Sequence, residues 1–356
     1  MSTVDSKFGR PVLCCIKLRM GMYFNNKPTL TDHPVSLNWC SKCTSQPVTL
    51  SSQICENHLG SSFDALSVSE DNARDLPKPD FEYLAKFNVE QELCFDSNPE
   101  QKDDIKLTTT EFSDIVFTDD DHLILCSSGS RVIQNRRARN SETRFSQKLL
   151  KYSEKGKYVS QCHLDGPPRK ICLLQSGKEA VVTLGQKIQF VSLLDMSPMK
   201  SVTIGSDCTG VALVNRMIYV GDSSKIHVLD QIGRHYRTID SPCTPSNIRR
   251  NLDGRLYCTT GSALWCITPE GSLVYSYNAT DLGPANAVAP DSKGNIYVGG
   301  SELQMFHPYR AKVERILLKE DGNGTIKALC FNNDFTKMFI SNNEGKSISV
   351  YTCKYK

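Results

Sequence analysis

Three groups of residues in this chain could do chemistry. The first is Cys40-x2-Cys43-x11-Cys55-x2-His58. Two close pairs of thiolate and imidazole ligands at this spacing suit a tetrahedral Zn²⁺. The same residues also read as three stray cysteines and a histidine in a polar leader, since Ser, Thr, Pro and Asn surround them and favour loop or disorder. The second group is basic: Arg131, Arg136, Arg137, Arg139 and Arg144 fall within 14 positions. From Arg131 to Lys157 there are nine basic residues against Glu142 and Glu154, a local charge of +7. The whole chain carries only +3, so any basic site is local. A cluster of this kind attracts phosphate or an acidic protein surface. The third group is what a hydrolase would need, and its local signatures are missing. There is no Gly-x-Ser-x-Gly elbow and no His-Glu-x-x-His pair, and the seven histidines are scattered. No obvious small-molecule substrate follows, and no cofactor is expected unless the first group holds zinc.

The elements that would position these groups come from an internal repeat. Asn247–Cys258 and Asn286–Gly299 each read as a short apolar strand, an Asp/Gly turn and a second strand. Ile115, Ile171, Val211, Ile248, Val288 and Leu329 hold equivalent positions, and the last five are 40, 37, 40 and 41 residues apart. The first gap is 56, so the first unit carries an insertion of roughly 16 residues over a period of ~40. Four short strands at that period predict an all-β fold, a six-bladed β-propeller over 82–356. The arginines fall in the insertion, 131–147, between the second and third strands of the first blade. The sixth unit lacks a fourth strand and leaves an open edge. Leu84–Cys94 is expected to fill it and close the ring, and 1–81 is expected to be a poorly ordered leader.

Propellers of this size also hold calcium in a central channel ringed by Asn, Asp and Glu. Asn247 and Asn286 occupy channel positions. Asp207 lies near, but Arg169, Lys170 and Lys327 would repel a cation there.

Phe117–Cys126, Thr183–Phe190, Ile218–Gly221 and Ser349–Lys354 resemble the C-terminal NHL-like propeller of tripartite-motif (RING, B-box, coiled-coil) proteins, especially the mollusc forms. The resemblance spans 112–356. It implies a module that recruits a protein or a single-stranded RNA, while a RING elsewhere transfers ubiquitin. Residues 1–80 hold no complete RING or B-box and no sustained heptads, although the four zinc-spaced residues match half of a B-box. Ligase activity is therefore not expected of this chain. The reading is a non-catalytic protein-binding propeller; an RNA reader using the basic insertion is the alternative, and a calcium-dependent lactonase-like hydrolase the third. The odd count of 15 cysteines, several inside apolar runs, argues against a disulfide framework. The start makes a poor signal peptide and no apolar run approaches a membrane span, so a cytoplasmic protein is expected.

Overall fold

The computed structural model describes residues 78–89, 104–109, 111–135, 140–278, 283–307, 313–316, 325–342 and 346–355. Cys40, Cys43, Cys55 and His58 lie outside the described residues, as do Arg136, Arg137 and Arg139. The described residues belong to one compact unit, Val68–Lys356. They contain strands and turns and no helix, so none is long and apolar enough to cross a membrane.

Two strands precede the repeat, β1 (Pro79–Asn88) and β2 (Asp104–Thr109). Blade 1 is β3 (Phe112–Phe117), β4 (His122–Ser127), β7 (Lys148–Ser153) and β8 (Tyr158–His163); β5 (Ser130–Asn135) and β6 (Asn140–Phe145) lie between its second and third strands. Blade 2 is β9 (Ile171–Leu173), β10 (Glu179–Thr183), β11 (Lys187–Ser192) and β12 (Ser197–Thr203). Blade 3 is β13 (Gly210–Val214), β14 (Met217–Gly221), β15 (Lys225–Leu229) and β16 (His235–Asp240). Blade 4 is β17 (Asn247–Arg250), β18 (Leu256–Thr260), β19 (Ala263–Ile267) and β20 (Leu273–Asn278). Blade 5 is β21 (Ala287–Pro290), β22 (Ile296–Gly299), β23 (Leu303–Phe306) and β24 (Val313–Ile316). Blade 6 is β25 (Leu329–Phe331), β26 (Lys337–Asn342) and β27 (Ser347–Tyr355), with β1 as its fourth strand. The innermost strands β3, β9, β13, β17, β21 and β25 neighbour one another in a closed cycle. The six repeat positions read from the sequence each sit on one of them and are all buried.

Each blade is covered on both faces, which explains why its inner strands read as unbroken apolar runs. Successive side chains point to opposite faces. On β4, Leu123 and Leu125 pack toward blade 6, while Ile124 and Cys126 pack toward blade 2. On β10, Ala180 and Val182 face blade 1 and Val181 faces blade 3. Among the described residues the core is six apolar wedges, one at each blade junction. The Asp253-Gly254 and Lys293-Gly294 turns put glycine at φ 81° and 91°, where a β-carbon is disfavoured. The nine described thiols are free and buried, and burial pushes that of Cys172 up to about 12. They act as core hydrophobes, and slow alkylation of these nine in the native protein at neutral pH, with rapid alkylation after unfolding, is the expected result.

Ring closure uses a strand upstream of blade 1, as expected, but its window differs. β1 pairs with β27 from Pro79↔Tyr355 to Asn88↔Ser347, so it begins and ends earlier than Leu84–Cys94. The strand also carries a β-bulge between Tyr83 and Ala85. It makes Leu84 the extra residue, 51% exposed. The bulge lets one strand serve two junctions: Phe81 and Tyr83 pack into the wedge between blades 5 and 6, and Phe87 and Val89 into that between blades 6 and 1.

Candidate functional site

Antiparallel topology decides which loops share a face. Each blade's first strand starts on one face of the ring and its second strand returns there. The second-to-third connection and the crossover to the next blade therefore lie on that same face, here called upper. The third-to-fourth turns lie on the lower one.

The basic insertion rises from the upper face of blade 1 as a hairpin, not as a bare loop. β5 and β6 pair from Ser130↔Phe145 to Asn135↔Asn140, and β5 also pairs with β2, giving a separate three-stranded sheet in the order β2-β5-β6. Val132, Ile133 and Thr143 supply β-branched residues that suit strands. Arg131 lies half-buried on the central strand, directly opposite Arg144. Arg144 is exposed and donates through Nε to Glu142 Oε1 at 2.9 Å, which holds that carboxyl below its usual range. Phe145 is 55% exposed. Residues 136–139, with the three remaining arginines, lie outside the described residues.

The fold also divides the sequence cluster. Lys148 and Lys151 are buried inside blade 1, where Lys151 Nζ donates to Asp120 Oδ2 at 2.9 Å and to the Leu193 carbonyl at 3.2 Å. Lys155 and Lys157 sit in the third-to-fourth turn, on the lower face. Of the six basic residues of the cluster that the structure describes, only Arg131 and Arg144 lie on the hairpin. The lower face instead has an acidic cleft of about 280 Å³ between blades 6 and 1, lined by Asp121, Glu154 and Asp334, with Lys337 bonded to Glu154 at 2.9 Å.

The central channel is crossed by side chains. Arg249 of blade 4 reaches opposite blade 1, where its Nη2 donates to both oxygens of Asp114 at 2.9 and 3.0 Å. Asp114 Oδ2 also accepts the backbone N–H of Ile171 at 3.0 Å. Despite burial, which opposes it, the Asp114 carboxylate raises the Arg249 guanidinium above its usual range. Lys170 of blade 2 donates to the Ser113 carbonyl at 2.6 Å and to the Asn286 carbonyl of opposite blade 5 at 3.3 Å. Two braces thus span two diameters of the ring. The positions equivalent to Arg249 hold Val116, Cys172, Ala212, Ala289 and Cys330, which are small enough to leave room for one long side chain.

The asparagines considered for calcium face their neighbours. Asn247 Nδ2 donates to Thr259 Oγ1 at 2.7 Å, and Asn286 Nδ2 to the Ile326 carbonyl at 3.3 Å. Asp207 is bonded to Arg169 at 2.6 Å. A hard cation in this channel would meet Arg249 and Lys170 rather than a ring of oxygens. Among the described residues no group of three or more His, Cys, Asp or Glu is placed to hold a metal.

One constellation escaped sequence reading. Ser206, Asp222 and His227 meet on the upper face of blade 3. Asp222 Oδ2 accepts from Ser206 Oγ at 2.8 Å and from His227 Nε2 at 2.8 Å, and Oδ1 accepts the N–H groups of Ser224 and Lys225 at 2.9 and 2.7 Å. In a catalytic triad the carboxylate and the nucleophile engage opposite ring nitrogens. Here the hydroxyl and the imidazole share one carboxylate oxygen, so the cluster ties a crossover to a turn. Burial would raise the Asp222 carboxyl, but the N–H of Ser224, then His227, Ser206 and Lys225, hold it at about 2. Its folded pKa lies below its unfolded value. The stabilisation is therefore complete above about pH 4 and lost as pH falls toward 2, about 2 kcal/mol in all. Denaturant midpoints between pH 5 and 2 should fall, and Asp222→Asn should flatten that fall.

Comparison with known proteins bears on the fold. No family model and no curated protein matches the chain. Among solved structures, the Kuenenia stuttgartiensis hydrazine synthase aligns over 67% of this chain and 76% of its own, at 14% identity and a TM-score of 0.50. A catalytically inactive virginiamycin B lyase from Staphylococcus aureus, solved with quinupristin, aligns over 77% and 99%, at 12% identity and a TM-score of 0.51. The β-propeller domain of Myceliophteria thermophila Cps50 (Swd1) aligns over 70% and 99%, at 10% identity and a TM-score of 0.48. At such identities the likeness is one of architecture. It carries neither chemistry nor partner, because one fold hosts many functions.

Proposed function

We propose that this chain is a non-catalytic interaction propeller that recruits a protein partner bearing an acidic, extended segment to the upper face of blade 1. The observation that carries the reading is the accessory sheet: a hairpin with five arginines, braced by β2, stands outside the six blades. Among the described residues β6 pairs with β5 alone, and Ser141–Phe145 are exposed, so its outer edge is open to strand addition. Main-chain bonds along that edge would supply affinity, and the arginines would select for carboxylates. Phe145 is the one aromatic residue of the insertion, which favours a protein over a single-stranded RNA, whose bases need stacking platforms.

The resemblance to tripartite-motif propellers suggests the setting. The chain would select a target, and a ligase activity, if coupled to it, would reside on another polypeptide. Replacing Arg136, Arg137 and Arg139 by Glu should weaken binding of an acidic peptide at least tenfold in a titration at near-physiological salt, with no change in melting temperature. Equal binding by the triple variant would defeat the reading.

A further inference from the structure

The channel holds more positive than negative charge. Asp114 is matched by Arg249 through both its oxygens. Lys170 is then left as a second cation, 9% exposed, and the acceptors of its ammonium are two neutral carbonyl oxygens. Half-buried Lys327 stands just ahead of β25, at the same end of the channel. Among the described residues Lys327 makes no ion pair. Burial, with repulsion from Arg249 and Lys327, lowers the Lys170 pKa despite the attraction of Asp114. An ammonium withdrawn from water among like charges costs free energy unless a counter-charge joins it. Lys170 and Lys327 both precede the innermost strands of their blades, so topology places both at the upper end of the channel.

We infer that the upper mouth of the channel is a binding site for a single anionic group, a phosphate or a carboxylate, held by Lys170 and Lys327. Arg249 stays paired with Asp114 and contributes only its field. The group could arrive as a free ion or on a partner docked on that face. The site stands independently of the hairpin, because inorganic phosphate probes it without any partner.

Melting of the full chain in inorganic phosphate, in acetate and in chloride at equal ionic strength tests the inference. Phosphate or acetate should raise the melting temperature in a saturable way beyond chloride, by mass action on the folded state. A stronger response to phosphate assigns the site to phosphoryl groups, and a stronger response to acetate assigns it to carboxylates. Lys327→Met, at a half-buried position outside the braces, should weaken the response about tenfold while leaving the ion-free melting temperature near its starting value. Lys170→Met should abolish it. Equal responses to all three anions, or an undiminished response in Lys327→Met, would overturn the site.

Discussion

Deleting Leu84 alone should destabilise this protein far more than replacing it by serine. Leu84 is the bulge residue of the closing strand and faces solvent. Leu84→Ser leaves the register intact and should fall within about 0.5 kcal/mol, as exposed substitutions usually do. Removing the residue erases the bulge, and a one-residue slip turns side chains to the other face. Either Phe81 and Tyr83 or Phe87 and Val89 must then leave their wedges. A fully buried apolar side chain is worth about 1.5–3 kcal/mol and these partly buried aromatics somewhat less, so losing a pair costs roughly 2–4 kcal/mol. Domains are stable by only about 5–15 kcal/mol. Loss of all of Pro79–Val89 should abolish the cooperative melt, and addition of that segment as a peptide should restore part of it. If thermal melts of the Leu84 deletion match those of Leu84→Ser, the bulge does not set the closure.

Asp114→Ala should be the most damaging single substitution in the channel. It leaves Arg249 charged and unpaired across the ring, and breaking a buried pair from one side costs about 3–5 kcal/mol. It also takes the acceptor from Ile171 N–H. Replacing both partners by apolar residues is commonly near neutral, so adding Arg249→Met to Asp114→Ala should recover much of the loss. A double-mutant cycle from denaturant titrations reads the coupling directly. Additive losses would show that the brace contributes nothing as a pair. A ring held by its wedges and its closing strand gains from such braces, because they tie blades that share no junction.

What the sequence revealed follows from how local each feature is. The blades were legible because every unit repeats the same strand and turn chemistry at a period of ~40, so six weak signals reinforce one another. The closing strand was legible as a need, an unpaired edge on blade 6. Its window was placed five residues late, and its bulge at Leu84 leaves no sequence signal. The basic insertion was found by charge, yet its hairpin was not. Its supporting strand, Asp104–Thr109, belongs to no repeat unit and precedes the first blade. The grouping of nine basic residues dissolved because neighbours in sequence lie on opposite faces or inside a blade. Asp114 and Arg249 are 135 positions apart, and only the closed ring makes them opposite. A faint signal did exist: Arg249 alone is charged among the six equivalent positions, where Val, Cys and Ala stand in the other blades. Ser206, Asp222 and His227 left no signal, since three common polar residues in neighbouring turns look like any other loops.

The central claim is that the hairpin sheet recruits a protein by its acidic extended segment. It is tested most directly by selection from a randomised peptide library and a random single-stranded RNA pool, run side by side at near-physiological salt. The full chain would be set against a variant in which Ser130–Phe145 is replaced by a short Gly/Ser turn. The account predicts enrichment of acidic peptides by the full chain, loss of that enrichment in the variant, and RNA retention that vanishes with salt. Peptides bound equally well by the variant would contradict it, and so would sequence-specific RNA enrichment that survives salt and requires the hairpin.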